Sequence, residues 1–103
     1  MISEIEFIQC GTGTSAGIPV IGCTCDVCTS TDPRDNRTRC GACLRFTDGE
    51  GKKRVVLIDC PPDHRQHALK YEIDRCDLII LTHDHVDHVF GLDEVRRYNA
   101  LHK

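Results

Sequence analysis

The stretch Leu78-Ile79-Ile80-Leu81-Thr82-His83-Asp84-His85-Val86-Asp87-His88 decides how this chain is read. Its first four residues are a short apolar run of the kind that forms a buried strand, and the polar segment begins where that strand ends. Side chains two apart on extended backbone share a face, so His83 and His85 can converge on one metal ion. Where the chain turns into a helix, Asp87 and His88 can address a second. Neutral imidazole and carboxylate suit zinc, manganese or iron better than a thiol-seeking metal. A lone histidine in such a loop is usually just solvated; three histidines with two aspartates in six positions are hard to obtain by chance. Asp84 alternates with His83 and His85, points away from them and is left out of the ligand set.

The preceding sequence reads as a layered mixture of strands and helices. Ile2 to Gln9 alternates apolar and polar residues, which predicts a first strand running into a glycine-rich loop. That loop lacks the lysine of a phosphate-cradling P-loop and is not followed at once by a helix, so it is not a nucleotide site. The polar connection 29–39 carries three arginines, solvated or with one facing an anionic substrate. Cys43 to Thr47 and Arg54 to Ile58 form a hairpin around the turn Asp48-Gly49-Glu50-Gly51, and the second strand delivers Asp59. Asp63 and Gln66 fit a helix cap and its return partner, opening a helix that buries Ala68, Leu69 and Ile73. His64 and His67 at its start are expected to be exposed or packed on the helix. The last helix is expected from about Gly91, with Leu92, Val95 and Asn99 inward and its charges ordered to suit the macrodipole. The order strand, strand, strand, helix, strand, helix gives a mixed α and β class.

Composition narrows the options. A hydrophobic share of 40%, a charged share of 28% and a net charge of −3 describe an ordinary globule with no basic patch, so nucleic acid is not an expected partner. The N-terminus has no basic region followed by an apolar run, and nothing approaches a membrane span, which points to a cytoplasmic protein. Eight cysteines without a secretory signal favour metal ligation over a disulfide scaffold. Cys23-x-Cys25-x-x-Cys28 places three thiolates on one turn-rich segment, the donors of a structural zinc, in preference to a redox or merely buried role. Cys40 and Cys43 are a possible local source of a fourth ligand, but the strand-like alternation after Cys43 favours packing as small apolar groups. Cys10, Cys60 and Cys76 carry no ligand spacing.

The motif His83-x-His85-x-Asp87-His88 resembles the signature of the metallo-β-lactamase superfamily of binuclear metal hydrolases. Gly11-Thr12-Gly13-Thr14-Ser15-Ala16-Gly17-Ile18-Pro19, the cysteine loop 22–28, Leu57-Ile58-Asp59 and Pro62-Asp63-His64-Arg65 are similar to one branch of it. That branch contains the phosphoribosyl 1,2-cyclic phosphate phosphodiesterase that accompanies carbon–phosphorus lyase. The resemblance implies an α+β fold, with residues 1–103 forming the N-terminal half of a four-layer αβ/βα sandwich, since complete folds of this kind need about twice the length. It implies two divalent ions, zinc or manganese, on His83, His85, Asp87 and His88. The remaining ligands, a histidine, a bridging aspartate and a final histidine, would lie beyond Lys103. Asp59 would hydrogen-bond the histidine loop without binding metal, and a late histidine would complete the zinc shell of Cys23, Cys25 and Cys28.

Two adjacent ions lower the pKa of a bridging water and supply hydroxide near neutral pH, with Asp87 orienting that nucleophile. The expected activity is therefore hydrolysis of a small, cyclic phosphodiester. Alternatives are another ester (a lactone, thioester or transfer-RNA precursor) or a non-catalytic zinc module. A homodimer of the complete protein is compatible with this reading.

Overall fold

The computed structural model describes residues 1–102. Strands β1 (Ser3–Gly11), β2 (Gly41–Thr47), β3 (Lys53–Ile58) and β4 (Leu78–Ile80) form one sheet in that order. β1, β2 and β3 run antiparallel, and β4 joins β3 in parallel through Val56↔Leu78, Leu57↔Ile79 and Ile58↔Ile80. An antiparallel neighbour needs only a tight turn, here 48–52, where the Asp48 carboxylate accepts the N–H groups of Glu50 and Lys52. A parallel neighbour needs a crossover, which helix α1 (His64–Tyr71) supplies. After β4 come the short helix α2 (Val86–Val89), a 3-10 turn (Leu92–Val95) and helix α3 (Arg96–Leu101).

Register assigns the two faces of the sheet. Ile8, Cys43 and Leu57 lie in one cross-strand row, with Val55 two residues on, and this face packs against Ile73 and Tyr98 to make the core. The opposite face carries Phe7, Leu44, Val56 and Leu78 in its own row, and none of the described helices covers it; Ile5, Phe7, Leu78 and Ile80 are exposed. The result is one sheet with helices on one side, an α+β arrangement equal to one αβ pair of layers. Among the described residues no helix is long and apolar enough to cross a membrane.

Several sequence expectations need correcting. The run Leu78–Leu81 does form a strand, over Leu78–Ile80, but Leu78 and Ile80 lie on the uncovered face and are exposed, Ile79 alone packs against the core, and Leu81 is exposed beyond the strand end. Helix α1 turns His64 and His67 inward and leaves Leu69 64% exposed. The physical reason is that both imidazoles find hydrogen-bond partners there: His64 Nε2 lies 2.6 Å from the buried Tyr98 hydroxyl and His67 Nε2 lies 2.7 Å from that of the half-buried Thr38. Asp63 stands at the cap position but makes no side-chain cap bond. Its carboxylate instead accepts the N–H of Arg39 at 2.8 Å and pairs with the Arg39 guanidinium at 2.9 Å. The last helical segment buries Tyr98, half-buries Val95 and exposes Leu92 and Asn99.

The glycine-rich loop is stitched to the segment 37–39. Gly13 donates its N–H to Thr38, and Ile18 and Arg37 exchange both backbone bonds. Those amides are spent on carbonyls and cannot cradle a phosphate. Gly11 is required there, because a Cβ would stand 2.0 Å from the Arg39 carbonyl oxygen.

Candidate metal centre

The candidate centre is assembled at the C-terminal ends of β3 and β4. Leaving β3, the chain enters the left-handed region at Asp59 (φ 63°), a conformation aspartate tolerates better than most residues. Its N–H then bonds the Ile80 carbonyl at 2.8 Å, and its buried carboxylate faces the residues that leave β4. Asp59 Oδ1 accepts the Thr82 N–H at 2.8 Å. Oδ2 accepts the Thr82 hydroxyl at 2.7 Å and bonds His88 Nδ1 at 2.6 Å. Burial alone would push this carboxyl upward in pKa, but the Thr82 N–H, the His88 ring and the Thr82 hydroxyl outweigh it and hold the group below the usual carboxylate range. An ionised Asp59 only accepts, so Nδ1 of His88 carries the proton of this bond and Nε2 is the ring nitrogen turned toward Asp87.

The rest of the motif wraps around this anchor. His85 is extended (ψ 148°) and caps α2, whose first turn brings Asp87 beside His88 with Oδ2 3.3 Å from Nε2. The His83 ring lies 3.9 Å from that of His88 and 4.5 Å from that of His85, centroid to centroid. His83 Nδ1 is 3.0 Å from the Thr82 hydroxyl oxygen. His83, His85 and Thr82 are exposed, and Asp87 and His88 half-buried, so the donors face solvent while the Asp59 carboxylate behind them is buried. Asp84 is exposed and takes no part in this network. Two backbone bonds fasten the segment to the end of β3: Cys60 N–H to the His88 carbonyl and Gly91 N–H to the Cys60 carbonyl, each 2.8 Å. The approach is so close that a Cβ on Gly91 would stand 1.9 Å from the Pro61 carbonyl oxygen.

Cys23, Cys25 and Cys28 form a second, separate cluster. Their sulfurs all lie within 4.8 Å of one another, and among the described residues no fourth histidine, cysteine or carboxylate joins them. Backbone N–H groups of Val20 and Cys28 point at the sulfurs of Cys28 and Cys25, at 3.4 and 3.5 Å. The Cys28 N–H, followed by the neighbouring Cys23 and Cys28 side chains, draws the Cys25 thiol down to about 7. Three thiols so arranged fit a thiophilic ion such as zinc. Cys43 and Cys60 are fully buried, and burial pushes the Cys60 thiol up to about 12, the mark of an inert packing group.

His64, His67 and Tyr98 are the residues whose importance the sequence did not signal. Burial, and then the neighbouring His67, lower His64 to about 4; burial lowers His67 as well. Both rings are therefore neutral supports, His64 against Tyr98 and His67 beneath the Gly11 and Gly41 backbone, which approaches it too closely for a side chain at Gly11.

Residues 54–103 match the β-lactamase superfamily domain. Over 89 residues the chain is 53% identical to an octanoyltransferase of Porphyromonas gingivalis strain W83, a match spanning 86% of this chain and 17% of that protein. It is 46% identical over 46 residues to the anti-Pycsar protein Apyc1 of Bacillus phage 010DV004, spanning 43% of this chain and 18% of that one. Among solved structures, a diphosphatase from the PhnP family superposes with a TM-score of 0.79 at 44% identity, covering 90% of this chain and 35% of its own. Zinc-bound PqqB from Methylobacterium extorquens superposes with a TM-score of 0.68 at 26% identity, covering 93% and 36%. The chain thus spans about a sixth to a third of these relatives, and the octanoyltransferase name describes a far longer protein. With its histidine motif, its one-sided sheet and these matches, the chain belongs to the metallo-β-lactamase superfamily and carries part of that fold.

Proposed function

We propose that these residues form part of a metal-dependent hydrolase acting on a small phosphodiester, a cyclic one in the branch reading. The carrying observation is the Asp59 anchor: a buried carboxylate that fixes His88 through Nδ1 and turns Nε2 toward Asp87, while His83, His85 and Asp87 gather on its solvent side. A protein of the same fold being a diphosphatase supports phosphoryl chemistry. In this reading His83 and His85 hold one divalent ion, zinc or manganese, and Asp87 and His88 hold the other. Bound there, such ions would make a water acidic and offset charge on the phosphoryl oxygens. Asp87 would hold one ion through its carboxylate and orient the attacking water there. His83 and His85 project into solvent, where a substrate can reach them, and Asp59 keeps the support rigid without touching substrate.

Two donors per ion are fewer than the three protein ligands usual at catalytic zinc, so the site is completed by a segment that complements these residues. The uncovered sheet face with Phe7, Leu78 and Ile80 is the surface such a segment would close. The 103 residues alone are accordingly expected to bind metal weakly and to be inactive. Cys23, Cys25 and Cys28 hold a structural zinc, and the protein works in the cytoplasm.

The deciding experiment is hydrolysis of bis(p-nitrophenyl) phosphate by the complete protein loaded with zinc or manganese. Asp87→Asn should lower the rate at least 100-fold with the fold intact, whereas Asp84→Asn should change it less than about fivefold. Equal losses at the two positions would refute this assignment of the loop.

A further inference from the structure

We propose that Thr82 is a positioning residue that selects which nitrogen of His83 faces metal, and so tunes the His83–His85 position independently of the Asp87–His88 position. The inference rests on the metal reading above. It follows from counting protons. A threonine hydroxyl has one proton to give and lone pairs to accept with. At 2.7 Å from Asp59 Oδ2, beside a carboxylate that can only accept, the hydroxyl must spend its proton on Asp59. The 3.0 Å contact with His83 Nδ1 is then a bond that Thr82 accepts, which requires the proton on Nδ1 and leaves Nε2 bare.

One buried carboxylate therefore sets two rings. It acts on His88 directly and on His83 through one hydroxyl. The relay is rigid at its middle, because the Thr82 N–H is held by Asp59 Oδ1 at 2.8 Å while its hydroxyl is held by Oδ2, and a β-branched side chain has little χ1 freedom. His83 needs this support more than His88 does. His83 is exposed, and its ring nitrogens make no other hydrogen bond among the described residues, whereas His88 is half-buried against the end of β3. Two substitutions at position 82 differ from threonine in a useful way. Valine keeps the shape and the backbone bond to Oδ1 but removes the hydroxyl; serine keeps the hydroxyl and gives up the shape.

The test compares the complete protein with its Thr82→Val and Thr82→Ser variants in two measurements. Nitrogen-15 NMR of the metal-free protein reads the His83 tautomer. Titration with zinc alone against a chromophoric chelator reads the affinities of the two histidine positions. Wild type should show the Nδ1–H form of His83. Thr82→Val should lose that preference and weaken one of the two zinc affinities about 10- to 100-fold while changing the other less than about twofold, and Thr82→Ser should restore most of the loss. An Nε2–H form in wild type, an unchanged zinc affinity in Thr82→Val, or an equal fall at both positions would overturn the proposal. A complete protein that binds no zinc at these histidines would overturn the functional reading together with it. One that binds zinc and cleaves phosphodiester, yet is indifferent to Thr82→Val, would overturn the role of Thr82 alone.

Discussion

Replacing Tyr98 with phenylalanine removes one oxygen and nothing else, and its cost can be worked out from the buried pair it leaves behind. His64 is 2% exposed and Tyr98 6%, and the hydroxyl lies 2.6 Å from His64 Nε2. Because His64 is neutral at pH 7, the hydroxyl donates to a ring nitrogen that water cannot reach, and Tyr98→Phe leaves that nitrogen unpaired. An unmet buried acceptor costs about 1–3 kcal/mol. At about 4–8 °C per kcal/mol for a domain of this size, Tm should fall by roughly 8–16 °C for a loss of about 2 kcal/mol. Burial lowers His64 from 6.5 to about 4, so between those values the unfolded chain binds more protons than the folded one. Stability is then fully present above pH 6.5 and declines as pH falls toward 4, by up to about 3 kcal/mol for this ring, and His67 adds to the decline.

Since burial is the main cause, Tyr98→Phe should lower the whole stability-versus-pH curve while keeping its shape, and His64→Gln should flatten it between pH 6.5 and 4. Urea unfolding at a series of pH values measures both effects. A Phe variant within about 0.5 kcal/mol of wild type at pH 7.5, or a wild-type curve level from pH 7 to 4, would refute the reasoning.

Other outcomes follow from other parts of the molecule. Cys25→Ser should lower zinc content by metal analysis and Tm together, while Cys40→Ser should leave zinc unchanged; full zinc and full stability in Cys25→Ser would sink the structural-zinc assignment. Gly91→Ala places a methyl group 1.9 Å from the Pro61 carbonyl oxygen, a backbone atom that cannot step aside, so it should destabilise by about 3 kcal/mol or more in denaturant titration. An alanine variant as stable as wild type would mean that the 60–91 contact is looser than described.

The strands and the histidine-rich motif at the end of β4 are legible because both are local. Alternation in β1, the turn residues at 48–51 and the spacing of His83, His85, Asp87 and His88 all speak within a few positions of one another. Asp59 was placed through the resemblance, and its hydrogen bonds to Thr82 and His88 follow from the β3–β4 pairing. What could not be read depends on partners far along the chain. Leu69 is more apolar than His64 or His67, so a helix judged by itself turns the wrong face inward. The histidines win because Tyr98 lies 34 residues away from one and Thr38 29 from the other, where each can satisfy a buried ring. Asp63 was misread for the same reason: Arg39, 24 residues upstream, claims its carboxylate. The exposure of Leu78 and Ile80 is likewise a matter of which face of the sheet the helices cover, which a run of leucine and isoleucine does not encode.

The parallel closure of β4 also sets the order in which the molecule acquires its chemistry. The β2–β3 hairpin closes over a few residues and can form early, but Asp59 and His88 are 29 residues apart and meet only after the crossover has brought three residue pairs of β4 alongside β3. Contacts of that separation carry a larger loop-closure cost and form late. Until they form, the rings of His83 and His88 have no carboxylate to choose their nitrogens, and the motif is a flexible tract that can capture a metal through any donor it offers. On the proposed metal reading, an ion supplied after β4 has docked would meet oriented rings, whereas one present from the start would compete with the folding step that orients them.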